Sequence, residues 1–168
     1  LTAISPIDGR YRNQIQHLDE YFSEYALMKY RVIVEVEYFL FLAEKKFFKL
    51  NGSSKTALKK LADAFSEEDA LKIKQTEAVT NHDVKAVEYF LKDKLEQLGE
   101  GKLKEWVHFG LTSQDINNTA FPLLWKDAME QQYLPDVLNL QQQIMKLAHV
   151  WKNVPLLART HGQPASPT

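Results

Sequence analysis

Val32-Ile33-Val34-Glu35-Val36-Glu37-Tyr38 is the stretch that decides the fold class. Taken alone it alternates like a half-buried strand. In a wider window Tyr25, Met28, Val32, Val36, Phe39, Ala43 and Phe47 recur at helical spacing, and neither Gly nor Pro interrupts residues 18–49. Strands average only about five or six residues, so length decides for a helix. Asn51-Gly52-Ser53-Ser54 then marks a break.

The same reading extends along the chain. A second helix is expected over residues 56–65, and Ser66-Glu67-Glu68-Asp69 has the form of a capping box opening another through Glu77. Thr80 and Asp83 repeat that spacing. They place Asn81 and His82 in the first turn of a helix on which Val84, Val87, Phe90, Leu91 and Leu95 recur. Gly99-Glu100-Gly101 ends it. Thr112 and Asp115 repeat the spacing again, ahead of one very long helix from residue 116 to about residue 152. Pro122 is near enough to its start to be tolerated, whereas Pro135 should kink it. Val154-Pro155-Leu156-Leu157-Ala158 reads as an extended connector. Ser166 and Thr168 are capping types and Pro167 suits a first turn, so a further helix start is expected there. The fold class is all-α, with long antiparallel helices suited to a bundle.

Bulk properties narrow the function classes. The chain has 168 residues, 45% of them apolar, which is enough for one domain with a real core. Its 21 basic and 22 acidic residues leave a net charge of -1, so no electrostatic footprint points to nucleic acid or an anionic membrane. The absence of Cys removes disulfides, thiolate catalysis and Cys-based zinc sites. No apolar run approaches the roughly 18 to 20 residues that span a bilayer. Leu1-Thr2-Ala3-Ile4-Ser5-Pro6 lacks the pattern of a signal peptide, so a cytoplasmic location is the expectation. The chain begins at Leu1 and stops at Thr168, directly after its most informative motif, and is expected to be a piece of a longer protein.

Polar clusters carry the chemistry. Arg159-Thr160-His161-Gly162-Gln163-Pro164-Ala165 sets an imidazole between a hydroxyl, a glycine and an amide. A positioned histidine moves protons near neutral pH, and a turn histidine can equally just satisfy a neighbouring carbonyl. Asn81-His82-Asp83 and Thr112-Ser113 sit at expected helix starts, where unpaired N–H groups favour an anion or simply need a cap. Arg10-Tyr11 follows the Asp8-Gly9 turn. It suits a phosphate or carboxylate, or is a solvated arm pinned by one ring. His82, His108 and His161 have no metal-ligand spacing.

Four stretches together resemble the N-terminal part of the adenylosuccinate lyases, in the fumarase/aspartase superfamily. They are Ser5-Pro6-Ile7-Asp8-Gly9-Arg10-Tyr11, Thr80 through Leu91, Thr112-Ser113-Gln114-Asp115-Ile116-Asn117-Asn118, and the Arg159 to Ala165 heptad. The last two are superfamily signals, and the first two point to the bacterial branch of the family. Gln114 and Ser166 depart mildly, standing where Glu and Thr are common.

The resemblance implies an N-terminal helical lyase domain over residues 1–111 and the start of the central long-helix bundle domain over residues 112–168. It implies β-elimination of fumarate from adenylosuccinate, giving AMP, and from succinyl-aminoimidazole-carboxamide ribotide. No cofactor or metal is implied, and the family assembles as a homotetramer. His161 is then the general acid and His82 a supporting site histidine. Arg10 and Tyr11 are contacts at the phosphate end, and Asn81, Asp83, Thr112, Ser113, Thr160 and Gln163 are further substrate contacts. The family's catalytic base is a serine on a Met-Pro-x-Lys-x-Asn loop that this sequence lacks, so the 168 residues alone are expected to be inactive. The alternatives are another fumarate-releasing lyase, such as an argininosuccinate lyase, or a non-catalytic helical interaction module. On any reading an exposed apolar stripe is expected on the long helix.

Overall fold

The computed structural model describes residues 5–167, with side chains through Ala165. The expectations resting on residues 1–4 and on Thr168 lie outside the described residues. The chain forms two compact units that divide between Ala128 and Met129.

In the first unit, the short helices α1 (Arg12–Ile15) and α2 (Asp19–Phe22) lead into α3 (Glu24–Glu44), the central element. Ser23 caps α3, its hydroxyl accepting from the Ala26 N–H at 3.0 Å. The 32–38 stretch is helical throughout. Its strand-like alternation has a physical cause: α3 is covered on two sides. One side packs Met28, Val32, Val36, Phe39 and Leu40 against α4 (Gly52–Asp63), α5 (Glu67–Thr80) and α6 (Asp83–Gln97). The other packs Ala26 and Tyr30 against Ala120, Leu124 and Ala128 of α7 (Ser113–Ala128). A helix buried nearly all round needs apolar residues off a single stripe, which blurs the 3.6-residue period.

Several boundaries differ from expectation. Helix α3 stops at Glu44, and Lys46 takes a left-handed conformation (φ 66°) just beyond it. Phe47 therefore lies outside the helix and packs its ring edge-on to Trp106 instead. Gly52, Ser53 and Ser54 open α4 and do not break the chain. Helix α5 is capped as expected, the Ser66 hydroxyl accepting from Asp69 N–H at 3.2 Å, and it runs on to Thr80.

The second unit holds a π-helical segment over Met129–Tyr133, then α8 (Leu134–Trp151), then the strands β1 (Leu157–Thr160) and β2 (Gln163–Pro167). The single long helix expected from residue 116 is thus α7, a π segment and α8. Pro122 does sit inside a helix, but well past the first turn of α7, so nearness to the start is not what accommodates it. Pro135 lies at the first turn of α8, where its missing N–H costs least, and the ladder widens just ahead of it. Leu134, Leu138, Ile144, Leu147 and Trp151 of α8 are all exposed, the apolar stripe that the sequence led us to expect. Strands β1 and β2 pair antiparallel, so residues 163–167 continue an extended path and do not open a helix. Among the described residues, no helix is long and apolar enough to cross a membrane.

Candidate active site

A cleft of about 690 Å³ in the first unit is lined by Thr80, His82, Val84, Lys85, Glu88, Tyr89, His108, Thr112 and Ser113. It brings two sequence motifs, separated by some thirty positions, onto one surface. His82 comes from the start of α6, and Thr112 and Ser113 from the start of α7.

Local rules explain each start. Helix α5 ends on Asn81, whose backbone is left-handed (φ 53°) and whose N–H reaches Glu77 O at 2.8 Å. Asn tolerates that conformation better than most residues. The chain turns there, and His82 becomes the N-cap of α6, its Nδ1 accepting from Lys85 N–H at 3.2 Å. Thr80 is therefore the last residue of α5 and not a cap, which corrects the box expected between Thr80 and Asp83. Asn81 and His82 precede the first turn of α6 instead of lying in it. At α7 one half of the expected box is present, the return bond from Asp115, while the Thr112 hydroxyl turns to the Asp115 carboxylate instead of capping the Asp115 N–H. Asp115 Oδ2 accepts from the Thr112 N–H at 2.7 Å and from the Thr112 hydroxyl at 2.9 Å, and these bonds hold its carboxyl below the usual range.

Behind the cleft lies a polar seam that the sequence reading passed over. Arg31 and Glu35, one turn apart on α3, are both buried. Arg31 Nε donates to Asn117 Oδ1 at 3.0 Å, and its other arm pairs with Asp83 Oδ2 at 2.7 Å. One guanidinium thus ties the beginnings of α6 and α7 to α3. Partial burial pushes the Asp83 carboxyl up, but the Val84 N–H and Arg31 outweigh it and hold the group below its ordinary value. Glu35 is fully buried, and its Oε1 lies 2.5 Å from His108 Nδ1. Burial raises the Glu35 pKa, against the pull of His108. Glu88, also buried, pairs with Lys85 at 2.7 Å and Lys92 at 2.9 Å, which lowers its pKa despite desolvation. The available signal was two charged residues at i and i+4 inside an otherwise apolar helix. A buried ionic group demands a partner.

The remaining sequence candidates lie elsewhere. Arg10 and Tyr11 are exposed in the turn that leads into α1, with the guanidinium 5.5 Å from the centre of the Tyr11 ring. Thr160, His161 and Gln163 belong to the second unit. There His161 (φ 50°) and Gly162 (φ 80°) form the two-residue loop between β1 and β2. Two successive positive φ values are the signature of a type I′ hairpin turn, and they project His161 from its tip. The side chains of His161 and Gln163 are exposed.

The cleft therefore offers imidazoles, a lysine ammonium, hydroxyls and two helix N-termini, a set that complements anionic groups. No trio of His, Asp and Glu among the described residues is placed to hold a metal. Fold and cleft together define a helical domain with a site suited to anionic ligands. The chain belongs to the Lyase family, whose profile matches residues 9–168. Over its whole length it is 54% identical to an adenylosuccinate lyase of Dictyostelium discoideum, 46% to one of Vibrio cholerae and 45% to one of Escherichia coli. It spans about 38% of the length of each of these relatives. Among solved structures it resembles the β-carboxy-cis,cis-muconate cycloisomerase of Acinetobacter calcoaceticus, with a TM-score of 0.64 and 25% identity. That likeness covers 90% of this chain and 35% of the other.

Proposed function

We propose that this chain forms the N-terminal part of an adenylosuccinate lyase. The reaction is elimination of fumarate from adenylosuccinate, leaving AMP, and from succinyl-aminoimidazole-carboxamide ribotide. The observation that carries the reading is the meeting of His82 with Thr112 and Ser113 in one cleft. Its support is the similarity to adenylosuccinate lyases along the whole chain.

Chemistry sets the roles. The bond that breaks leaves charge on nitrogen, which an acid with a pKa near ambient pH can quench. His161 is that acid, and a hairpin tip presents it without neighbouring groups in its way. Abstraction beside a carboxylate builds a doubly charged carbanion, which calls for donors aimed at that group. His82, Thr112 and Ser113 serve there, with Asn81, Asp83, Thr160 and Gln163 as further contacts. Arg10 and Tyr11 hold the phosphate end. Residues 112–168 begin the family's long-helix domain, and α8 buries its apolar face in a homotetrameric bundle in the cytoplasm.

The test is His161→Ala in the enzyme that carries this chain, followed by fumarate release from adenylosuccinate. We expect kcat to fall about 10²–10⁴-fold with nucleotide affinity largely kept. Lost affinity with an unchanged turnover number would overturn the acid assignment.

A further inference from the structure

The Glu35–His108 pair joins a core carboxyl to a ring on the cleft wall. Glu35 is completely shielded from water and sits mid-helix in the apolar core. One oxygen meets His108 Nδ1 at 2.5 Å, and the other, Oε2, is buried without a hydrogen-bond partner. His108 itself holds a left-handed backbone (φ 62°), which is uncommon outside Gly and Asn. The Tyr38 hydroxyl braces the next residue by donating to Phe109 O at 2.9 Å. A strained residue braced from two sides and facing a cleft is held there for a purpose that packing alone does not supply.

We propose that Glu35 is a positioning residue that keeps His108 a hydrogen-bond donor, its Nε2–H presented to an anionic group bound in the cleft. This inference rests on the lyase reading for the identity of that anion, but its geometry does not. Three arrangements place a proton in the short Nδ1–Oε1 contact. In two of them, imidazolium with carboxylate and neutral imidazole with carboxylic acid, Nε2 carries hydrogen. The third, a carboxylate facing a neutral Nδ1–H imidazole, leaves Nε2 an acceptor. It alone leaves a net charge in the core that the pair itself does not balance, beside an oxygen without a partner, which burial penalises heavily.

The surroundings agree. Glu88 on α6 also acts on Glu35, and its negative charge further disfavours a bare carboxylate there. Glu88 is itself held by Lys85 and Lys92. On α7, Asp115 faces the same ring, whose charge adds slightly to the bonds that hold the Asp115 carboxyl below its ordinary value. His82 and Tyr89 also line the cleft wall. An acceptor at Nε2 would repel a carboxylate or phosphate, whereas a donor binds it with a charge-assisted hydrogen bond.

Selective ¹⁵N-histidine labelling tests this directly. His108 is assigned by the signal lost in His108→Gln, and ring nitrogen shifts are followed between about pH 6 and pH 8, a window around the free imidazole value near 6.5. The expected result in the unaltered protein is a hydrogen-bearing Nε2 through the whole window. In Glu35→Leu, which removes both the counter-charge and the proton donor facing Nδ1, the His108 Nε2 is expected to lose its hydrogen in part of the molecules within the window. An unprotonated Nε2 at neutral pH in the unaltered protein would overturn the proposal, with no variant needed. So would an Nε2 that stays fully hydrogen-bearing in a folded Glu35→Leu. In the enzyme that carries this chain, Glu35→Leu should raise KM for adenylosuccinate by roughly tenfold or more, the effect of losing one bond to a charged group, with a smaller change in kcat. If the unaltered enzyme releases no fumarate, the lyase reading fails while the nitrogen shifts still decide the role of Glu35.

Discussion

Replacing Asp83 by Ala removes a half-exposed carboxylate and strands a buried guanidinium. The Asp83 side chain is 49% exposed and that of Arg31 only 6%. The pair is therefore asymmetric, and the asymmetry fixes the order of two substitutions. In Asp83→Ala, Arg31 keeps its 3.0 Å bond to Asn117 but loses the counter-ion that its other arm meets at 2.7 Å. Breaking a buried pair costs about 3–5 kcal/mol, and the retained Asn117 bond puts this case near the lower end, about 3 kcal/mol. In Arg31→Met the apolar stem stays packed and the charge goes. Asp83 is left with its 2.8 Å bond from Val84 N–H and with water, so the loss is near that of one or two hydrogen bonds, about 1–2 kcal/mol. For a chain of this size each kcal/mol moves Tm by about 2–4 °C, so Asp83→Ala should lower it by roughly 6–12 °C and Arg31→Met by about half as much. Thermal melting followed by circular dichroism measures both, and the double variant gives their coupling. If Arg31→Met melts at or below Asp83→Ala, then burial does not govern the pair and the reasoning is wrong.

Two further outcomes follow from the same structure. Gly162→Ala places a Cβ where nothing lies within 4 Å, so the cost is purely that of φ +80° for an L side chain. We expect about 1 kcal/mol off the hairpin, read as faster amide exchange at Thr160 and Gln163, the pair that closes the loop, with the first unit unaffected. Lys94→Met removes a partner from Asp69, whose carboxyl is pushed up by burial but held lower by Lys94 and Ser66. A depressed folded pKa gives stability that is full above the unfolded value of about 3.9 and fades as pH falls through the folded value. The unaltered protein should therefore lose stability on acidification below about pH 4 more steeply than Lys94→Met, as urea midpoints across that range would show.

Helix α3 shows how legible this sequence is. Its length and lack of breakers named it a helix, although local alternation argued for a strand. The Ser66 cap and the Asp115 bond back to Thr112 were also readable, because each joins residues three apart. Thr80 was misread for an instructive reason: the same spacing arises when one helix ends where the next begins, and only the left-handed turn at Asn81 separates the two cases. The π segment before Pro135 was anticipated as a disturbance but not in kind, since Pro dictates a lost bond and not how the ladder closes around it.

Sequence alone determined the helical class, the capped starts and the motifs that mark the family, because each depends on residues within a few positions of one another. Only the tertiary structure decided that Arg31 reaches both Asp83 and Asn117, and that Glu35 lies against His108. Those partners stand 52, 86 and 73 positions apart, by subtraction of their residue numbers. No local rule relates such positions. What brings them together is the burial of α3, which forces every charge it carries into the core to find its opposite on whichever helix packs there.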